Sequence, residues 1–540
     1  MAWNISEAVY QISTSSIGER AALIHGDEVI SYREVIRRCS GIASWLQSLD
    51  LPPGAHIGHY MRNSNAYMEA FIGAGLAGMS HVNVNYRYID QELIDLSNGL
   101  DIRVLVYDAE FAERVANIHA QLTETVGFIE VGSGPLRNDF AVRMEDLYDY
   151  DSSGFERQTS SDDLILIATG GTTGLPKGTQ WRHEDIWRKQ QISTGNAMLA
   201  LQLEAHPETI EEHTANVVKL PEAKPFMPLS PLMHGAASLM AILMLAQGVP
   251  VLTAPGEKFD ADLTLDLIRQ YQVSGLALVG DAFAIPLVEA LDRRADENLL
   301  QSIILCVSTG ASLSEENRSG LLRHQPNLIL FDTLGSSEAS GFAVSTPEAG
   351  VFRPMPTTRV FDDEMQEVVP GSDTIGIAYS GGFSPIGYYK QPEKSAETFV
   401  EIDGQRFVMT GDRCTVREDG MLVLLGRDST VINTGGEKVY TVEIERALLD
   451  HPTITDALVV GLPHPRFGKM VVAVVEGPNL SADNLDVADT QAHVGKTLAP
   501  YKIPRQIFAI ESLQRAPNGK PDYPFITAYA QAQADKLTTT

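Results

Sequence analysis

Short apolar runs rich in β-branched residues recur along this chain and alternate with amphipathic stretches of helical period. Val104–Tyr107, Leu164–Ala168, Val249–Thr253, Leu276–Val279, Ile303–Ser308 and Ile329–Phe331 read as buried strands. Asp262–Tyr271 and Ala282–Arg293 lie between them and repeat their apolar residues at the period of a helix. Such alternation predicts parallel sheets flanked by helices, an α/β fold. Past Gly426 the texture changes to a compact α+β module, with a helix expected over Thr441–Asp450 and strands over Ala457–Val460 and Val471–Val475. We therefore expect a large N-terminal body, residues 1–428, and a small C-terminal domain, residues 429–540.

Two patterns invite a wrong reading. Gly73-Ala74-Gly75-Leu76-Ala77-Gly78 matches the dinucleotide fingerprint, whose first glycine must close a turn straight after a strand. Here the candidate strand His56–Met61 is separated from it by Arg62–Ile72, which reads as a helix, so these small residues are expected to pack a helix end against a sheet. Ala236–Thr253 is apolar enough to suggest a membrane span. Gln247, Gly248 and Pro250 interrupt it, leaving about eleven clean residues where roughly twenty are needed. A buried helix running into a strand is the expectation. No fixed-period repeat is visible, and the only low-complexity tract is the short Ala/Gln/Thr-rich tail after Ile526.

Composition narrows the partners. At 540 residues the chain should form several domains, and 44% hydrophobic with 21% charged residues describes an ordinary globular protein. Its 41 basic against 70 acidic residues give a formal charge of −29, a field that repels nucleic acid and anionic lipid. Any site for an anion therefore needs local cations or backbone donors. Cys39, Cys306 and Cys414 show no C-x-x-C spacing, which argues against a disulfide framework or zinc site and fits a reducing, cytoplasmic interior. Met1–Arg20 lacks a basic start followed by an apolar core, and Lys536–Thr540 is no prenylation or peroxisomal signal, so neither address is expected.

The chemistry begins at Thr169-Gly170-Gly171-Thr172-Thr173-Gly174-Leu175-Pro176-Lys177-Gly178, straight after the expected strand Leu164–Ala168. Glycine N–H groups, threonine hydroxyls and one lysine make a loop suited to nucleotide phosphates. It is no Walker A loop, which requires Gly-Lys followed by Ser or Thr. The run resembles the phosphate loop of the adenylate-forming superfamily, which includes acyl-CoA synthetases, luciferases and peptide-synthetase adenylation domains. That resemblance covers nearly the whole chain. It implies a body of parallel and mixed sheets with a β-rich part, a mobile C-terminal cap, and ATP, Mg²⁺ and coenzyme A as cofactors.

Further motifs carry the resemblance. Leu334-Gly335-Ser336-Ser337-Glu338 is similar to the family's Tyr-Gly-x-Thr-Glu, which implies that Ser337 bonds the α-phosphate and Glu338 holds Mg²⁺. Leu334 stands where an aromatic normally covers adenine. Asp332, just before it, joins the implied nucleotide contacts. Ser308-Thr309-Gly310-Ala311 resembles the segment beside adenine and the acyl group, with Gly310 and Ala311 as contacts. Thr410-Gly411-Asp412 resembles Thr-Gly-Asp, whose acceptor-only carboxylate suits the ribose diol. In Gly426-Arg427-Asp428-Ser429 through Gly435-Gly436-Glu437-Lys438-Val439, the resemblance gives Arg427 to the nucleotide, Ser429 to the hinge and Gly436 to the passage of pantetheine. Asp or Lys is usual at that hinge. A lone Pro517-Asn518-Gly519-Lys520 would be a solvated turn. About 90 residues past the Gly426 run, it matches the loop that delivers the adenylation lysine, Lys520. Pro228 to Gly235 resembles the segment whose histidine, here His234, borders the acyl pocket, although a histidine at a helix start is often structural.

Within the family, Thr169-Gly170-Gly171-Thr172-Thr173 with glycine where most relatives have serine, Trp181-Arg182-His183-Glu184-Asp185, Val279-Gly280-Asp281-Ala282-Phe283, the run from Ile432 to Tyr440 and Gly519-Lys520-Pro521-Asp522-Tyr523 resemble a bacterial subgroup of ligases for sterol side chains and other bulky acids. Small residues in the implied acyl lining (Gly235, Ala236, Ala237, Ser238, Gly310, Ala311, Ala339, Ser340, Gly341) leave room for a wide acid. Close helix–sheet packing uses the same residues, so both readings stand. The expected activity is an ATP-dependent acid–CoA ligase. A carrier-protein phosphopantetheine as acceptor is the alternative, and a non-catalytic nucleotide-binding scaffold is a third. The expected partners are a small-molecule carboxylic acid, ATP and CoA, with no nucleic acid, no integral membrane segment and room for a homodimer.

Overall fold

A computed structural model describes residues 3–169, 177–192, 207–311, 313–348, 350–427, 431–434, 437–464, 468–498, 500–515 and 519–539. The chain divides into two compact units, one of Met1–Phe342 with Gly381–Val408 and one of Ala343–Ser380 with Met409–Thr540. The junction read from the sequence, between residues 428 and 429, lies within 428–430, outside the described residues.

The first unit holds two sheets. In one, the strands Ile329–Leu334, Leu305–Thr309, Gly275–Leu278, Phe226–Pro228, Val251–Thr253 and Ala21–His25 lie side by side and parallel. Glu28–Ser31 adds an antiparallel edge. In the other, the order is Gly387–Tyr388, Lys177–Arg182, Leu164–Thr169, Ser80–Asn83, His56–Tyr60, Ile102–Asp108, Gly127–Val131, Val142–Arg143. Its last six strands pair parallel, and the first three pair antiparallel. Strands such as Ile102–Asp108 are near-continuous apolar runs because helices cover both faces of a parallel sheet.

All six strands expected from the apolar runs form, with shifted ends. Val251–Thr253 starts late because Pro250 has no N–H for the ladder, although its carbonyl accepts from Phe226 at 2.8 Å. The strand expected over Ile329–Phe331 continues to Leu334, which puts Asp332 on the sheet. Ala261–Tyr271 shows why the amphipathic stretches are helices. Asp260 caps it by accepting the Leu263 N–H at 3.0 Å, and Thr264, Leu265, Leu267 and Ile268 form its buried stripe.

The segment that suggested a membrane span is the helix Gly235–Leu245 followed by the strand Val251–Thr253. Among the described residues no helix is long and apolar enough to cross a membrane. Gly73 and Gly75 sit inside the helix Asn65–Leu76. They face helices rather than the sheet: a Cβ on Gly73 would lie 2.9 Å from Ile42, and one on Gly75 2.2 Å from the Ser6 hydroxyl oxygen. Close helix approach accounts for Gly73 and Gly75, a left-handed turn past the helix end (φ of 74°) accounts for Gly78, and no strand leads into the run.

The second unit has an antiparallel part and an α+β part. Thr358–Phe361 pairs with Gly376–Gly381, and Leu422–Arg427 pairs with both Gln405–Val416 and Val351–Pro354. This is the β-rich part. In the other part Asp456–His464 and Gly468–Glu476 form a long hairpin, extended by Val431–Thr434, Glu437–Tyr440 and the parallel strand Gln506–Ala509. Alternate residues of the hairpin face opposite ways. Ala457, Val459, Val471 and Ala473 pack with Ile444 and Leu448 of the helix Thr441–Leu449. Leu458, Val460, Val472 and Val474 pack with Ile526, Ala530 and Ala534. The tail read as low complexity is thus the helix Tyr523–Thr539, whose buried residues recur every four positions.

Candidate active site

The strands Leu164–Thr169 and Lys177–Arg182 pair antiparallel, with Thr169 opposite Lys177. The ladder closes both ends of the glycine–threonine loop side by side. Gly170, Gly171, Thr172, Thr173 and Gly174 lie outside the described residues, as does the side chain of Thr169. One buried side chain staples the entrance. The Asn83 amide accepts the Ala168 N–H at 2.7 Å and donates to the Ala168 carbonyl at 3.2 Å and to the carbonyl of Met233. Asn63 holds the next turn by donating to the Ser230 carbonyl at 3.1 Å and accepting the Leu232 N–H at 2.7 Å. These bonds position His234, which is half-buried at the start of the helix Gly235–Leu245 and makes no side-chain capping bond there.

Lys177, Ser337 and Glu338 come together through two aromatic side chains. Trp181, fully buried on the strand that begins at Lys177, donates its indole N–H to the Ser337 carbonyl at 2.8 Å. Tyr388 lies on the strand that pairs with this one, opposite Thr179. Its hydroxyl donates to Glu338 Oε1 at 2.7 Å, and Lys177 Nζ sits 5.0 Å from its ring centroid. Burial, and then the charge of Glu338, push the phenol pKa up, so it stays a donor. The loop carrying Ser337 and Glu338 is folded by Ser336, whose hydroxyl oxygen accepts the N–H groups of Glu338 and Ala339 at 3.2 and 3.1 Å.

Gly310, Ala311, Asp332 and Leu334 gather at the ends of two adjacent parallel strands, where Ser308 is opposite Asp332. The ends are tied by Thr309 Oγ1 donating to the Thr333 carbonyl at 3.1 Å and Thr333 Oγ1 to the Ser308 carbonyl at 3.3 Å. Gly310 has φ of 88°, a left-handed turn that sends the chain away from the strand end. Burial raises the Asp332 pKa to about 6 against the pull of Ser308 and Arg318. Of the small residues expected to line an acyl pocket, Ala237, Ser238 and Ala339 are buried. The space a Gly235 side chain would take is bounded by Ile167 at 3.1 Å. Close packing accounts for these four.

In the second unit Asp412 is buried and stands opposite Arg427 in the ladder. Its N–H donates to Thr410 Oγ1 at 3.1 Å, and that hydroxyl donates to the Ala378 carbonyl at 2.8 Å. Gly411 between them has φ of 76°. The Arg427 side chain, Ser429 and Gly436 lie outside the described residues. Lys520 is exposed and follows Gly519, at φ of 74°. Its loop is moored by Arg515, which grips Asp456 with two bonds of 2.5 and 2.6 Å and donates to the Gly519 carbonyl at 3.3 Å. Behind this mooring Glu445 is half-buried, loss of solvent raises its pKa to about 7, and it accepts the Val459 N–H at 2.9 Å.

Among the described residues no three His, Cys, Asp or Glu side chains group as a metal cluster. The three cysteines are buried and free, and burial pushes the thiols of Cys306 and Cys414 up to about 12. Sequence reasoning missed Asn83, Ser336 and Tyr388, and took Trp181 only as a mark of the subgroup. Ser336 lies inside the Leu334–Glu338 motif and acts through a local turn, whereas Asn83 and Tyr388 sit on strands and only the sheet register announces them.

A phosphate-type loop closed by a β-ladder, a Ser-Glu loop beside it and a separate lysine-bearing α+β module define a nucleotide-dependent acid-activating enzyme. The profile of AMP-binding enzymes matches residues 13–384 and that of the AMP-binding enzyme C-terminal domain residues 443–520, so the chain belongs to the AMP-binding enzyme family. Within it the chain is an acyl-CoA synthetase, an acid–thiol ligase. It is 35% identical to a medium/long-chain-fatty-acid–CoA/3-oxocholest-4-en-26-oate–CoA ligase of Mycobacterium marinum, over 99% of this chain and 98% of the relative. It is 33% identical to a 3-oxocholest-4-en-26-oate–CoA ligase of Rhodococcus rhodochrous, over 97% and 95%. Its fold matches the crystal structure of an anthranilate CoA ligase in complex with anthranoyl-AMP, with a TM-score of 0.81, 22% identity and 98% of each chain covered.

Proposed function

We propose that this enzyme activates a bulky or branched hydrophobic carboxylic acid, such as a steroid side-chain acid, and transfers it to coenzyme A. The observation that carries the substrate class is the near full-length relationship to ligases named for 3-oxocholest-4-en-26-oate. In the first half-reaction a carboxylate oxygen attacks the α-phosphorus of ATP, the bond to the bridging oxygen breaks, and pyrophosphate leaves. In the second, the CoA thiolate attacks the acyl carbon, and AMP leaves with the electron pair of the acyl–oxygen bond.

The first step brings two anions together, so it needs cations and N–H donors aimed at the developing charge. Lys177 and residues 169–174 hold the phosphates, and Ser337 bonds the α-phosphate. Gly310, Ala311, Asp332 and Leu334 border adenine, Asp412 accepts from the ribose hydroxyls, and Arg427 contacts the nucleotide. Lys520 bridges carboxylate and α-phosphate. His234 borders the acyl group. The C-terminal module then turns about Ser429, withdrawing Lys520 and offering Gly436 to pantetheine. Glu338 fits Mg²⁺, a cation that takes one or two carboxylate oxygens and otherwise keeps water and substrate phosphates. When bound, the ion supplies neutralisation of phosphate charge. ATP and CoA as substrates favour residence in the cytoplasm, and a homodimer is the assembly to test by light scattering.

The test is pyrophosphate release across steroid 26-oates, aryl-propionates and medium- to long-chain acids, followed by CoA-dependent AMP release. Preference for a steroid or other bulky acid is expected. A clear preference for short linear acids would remove the substrate class and leave the reaction standing. Adenylation without CoA-dependent AMP release would point to a carrier-protein acceptor.

A further inference from the structure

Tyr388 ties Lys177, just after the phosphate loop, to the Ser-Glu loop, and no family motif read from the sequence includes it. Its placement is over-determined. Its strand is locked to Lys177–Arg182, with Gly387 opposite Gln180 and Tyr388 opposite Thr179. Its N–H donates to Ser395 Oγ at 2.8 Å, and its ring meets Phe399 edge-on with centroids 5.3 Å apart. The residue is 5% exposed, so the hydroxyl has little water to turn to, and Glu338 Oε1 takes its hydrogen bond. The same ring presents its face to Lys177.

We propose that Tyr388 is a positioning residue for the metal–nucleotide: its hydroxyl orients the Glu338 carboxylate toward the cation, while its ring holds Lys177 at the mouth of the phosphate loop. This rests on the function proposed above. A hydroxyl bonded to one oxygen of a carboxylate fixes the plane of the group and leaves the other oxygen for a ligand. Partners of this kind set metal affinity without touching the metal. The two contacts are separable, because phenylalanine keeps the ring and loses only the hydroxyl.

The experiment measures ATP binding by calorimetry with no acid present, so that no turnover occurs, once in EDTA and once in saturating MgCl2. The ratio of the two dissociation constants reports the metal's contribution. In Tyr388→Phe this ratio should fall about tenfold, with the EDTA constant unchanged within about twofold. In Tyr388→Leu the EDTA constant should weaken as well, because Lys177 loses its ring. Glu338→Gln should suppress the ratio, and adding Tyr388→Phe to it should cost nothing more. An unchanged ratio in Tyr388→Phe, whether or not its melting temperature falls, would overturn the proposal, and so would full additivity with Glu338→Gln. If the unsubstituted enzyme showed no magnesium-dependent affinity for ATP, the proposed function would fall together with the inference.

Discussion

Replacing Lys520 with alanine removes a single ammonium from the exposed end of a moored loop. The mooring itself survives, since Arg515 holds Asp456 and the Gly519 carbonyl, and neither bond involves the lysine side chain. A surface truncation of this kind shifts stability by no more than about 0.5 kcal/mol, or roughly 2 °C in melting temperature. The loss in the adenylation transition state is of another size. Losing one preorganised donor aimed at developing charge lowers the rate 10²–10³-fold, about 2.7–4 kcal/mol. The transition-state effect therefore exceeds the folding effect severalfold, and the two can be measured apart. ATP–pyrophosphate exchange with the preferred acid reports adenylation, and CoA-dependent consumption of a supplied acyl-adenylate reports thioester formation. Lys520→Ala should lower the first by two to three orders of magnitude and the second by less than about threefold, on the premise that the lysine serves only the first step. Equal loss in both assays would refute the assignment of Lys520 to one half-reaction, and loss in neither would remove it from the chemistry.

Two further outcomes follow from the geometry. Trp181→Phe takes the indole N–H from the Ser337 carbonyl and leaves a void in a fully buried position, so urea unfolding should show about 2–3 kcal/mol of destabilisation, with a severalfold rise in KM for ATP; an unchanged KM would separate Trp181 from the nucleotide site. Asp332 has its folded pKa raised from 3.8 to about 6 by burial. A raised carboxyl carries no cost below pH 4, where both states are protonated, and its full cost above pH 6, where the folded state must bury the charge. The stability lost between those limits should approach about 3 kcal/mol. Asp332→Asn should flatten that part of the pH–stability profile in urea melts at pH 4.5 and 7.5, and an identical profile in the variant would show the carboxyl to be solvated.

Several features of the molecule were legible because local physics writes them locally. Apolar runs announced the strands, since a strand buried on both faces must be apolar throughout. The dinucleotide-like glycines were correctly set aside, because such a turn must follow a strand directly. The tail after Ile526 was not legible as structure: its helix buries mostly alanines, Ala530 and Ala534, whose spacing is hidden among similar residues. Asp332 was named as a contact, but its place on a sheet, and with it the perturbed carboxyl, came from a strand that runs past Phe331 to Leu334.

The sequence by itself carried the class of enzyme and the alternation of strands and helices, and it pointed to the groups expected to handle phosphate, because each motif and each apolar run is written within about a dozen consecutive residues. The tertiary structure alone decided which side chains hold those groups. Trp181 reaches Ser337 across 156 residues and Tyr388 reaches Glu338 across 50. Asn83 joins the carbonyls of Ala168 and Met233, which lie 85 and 150 residues away. Such contacts depend on strand order and ladder register, and a register shift of one residue would turn each of these side chains to the opposite face. Register is settled by the packing of whole sheets against their helices, which no short window of sequence contains.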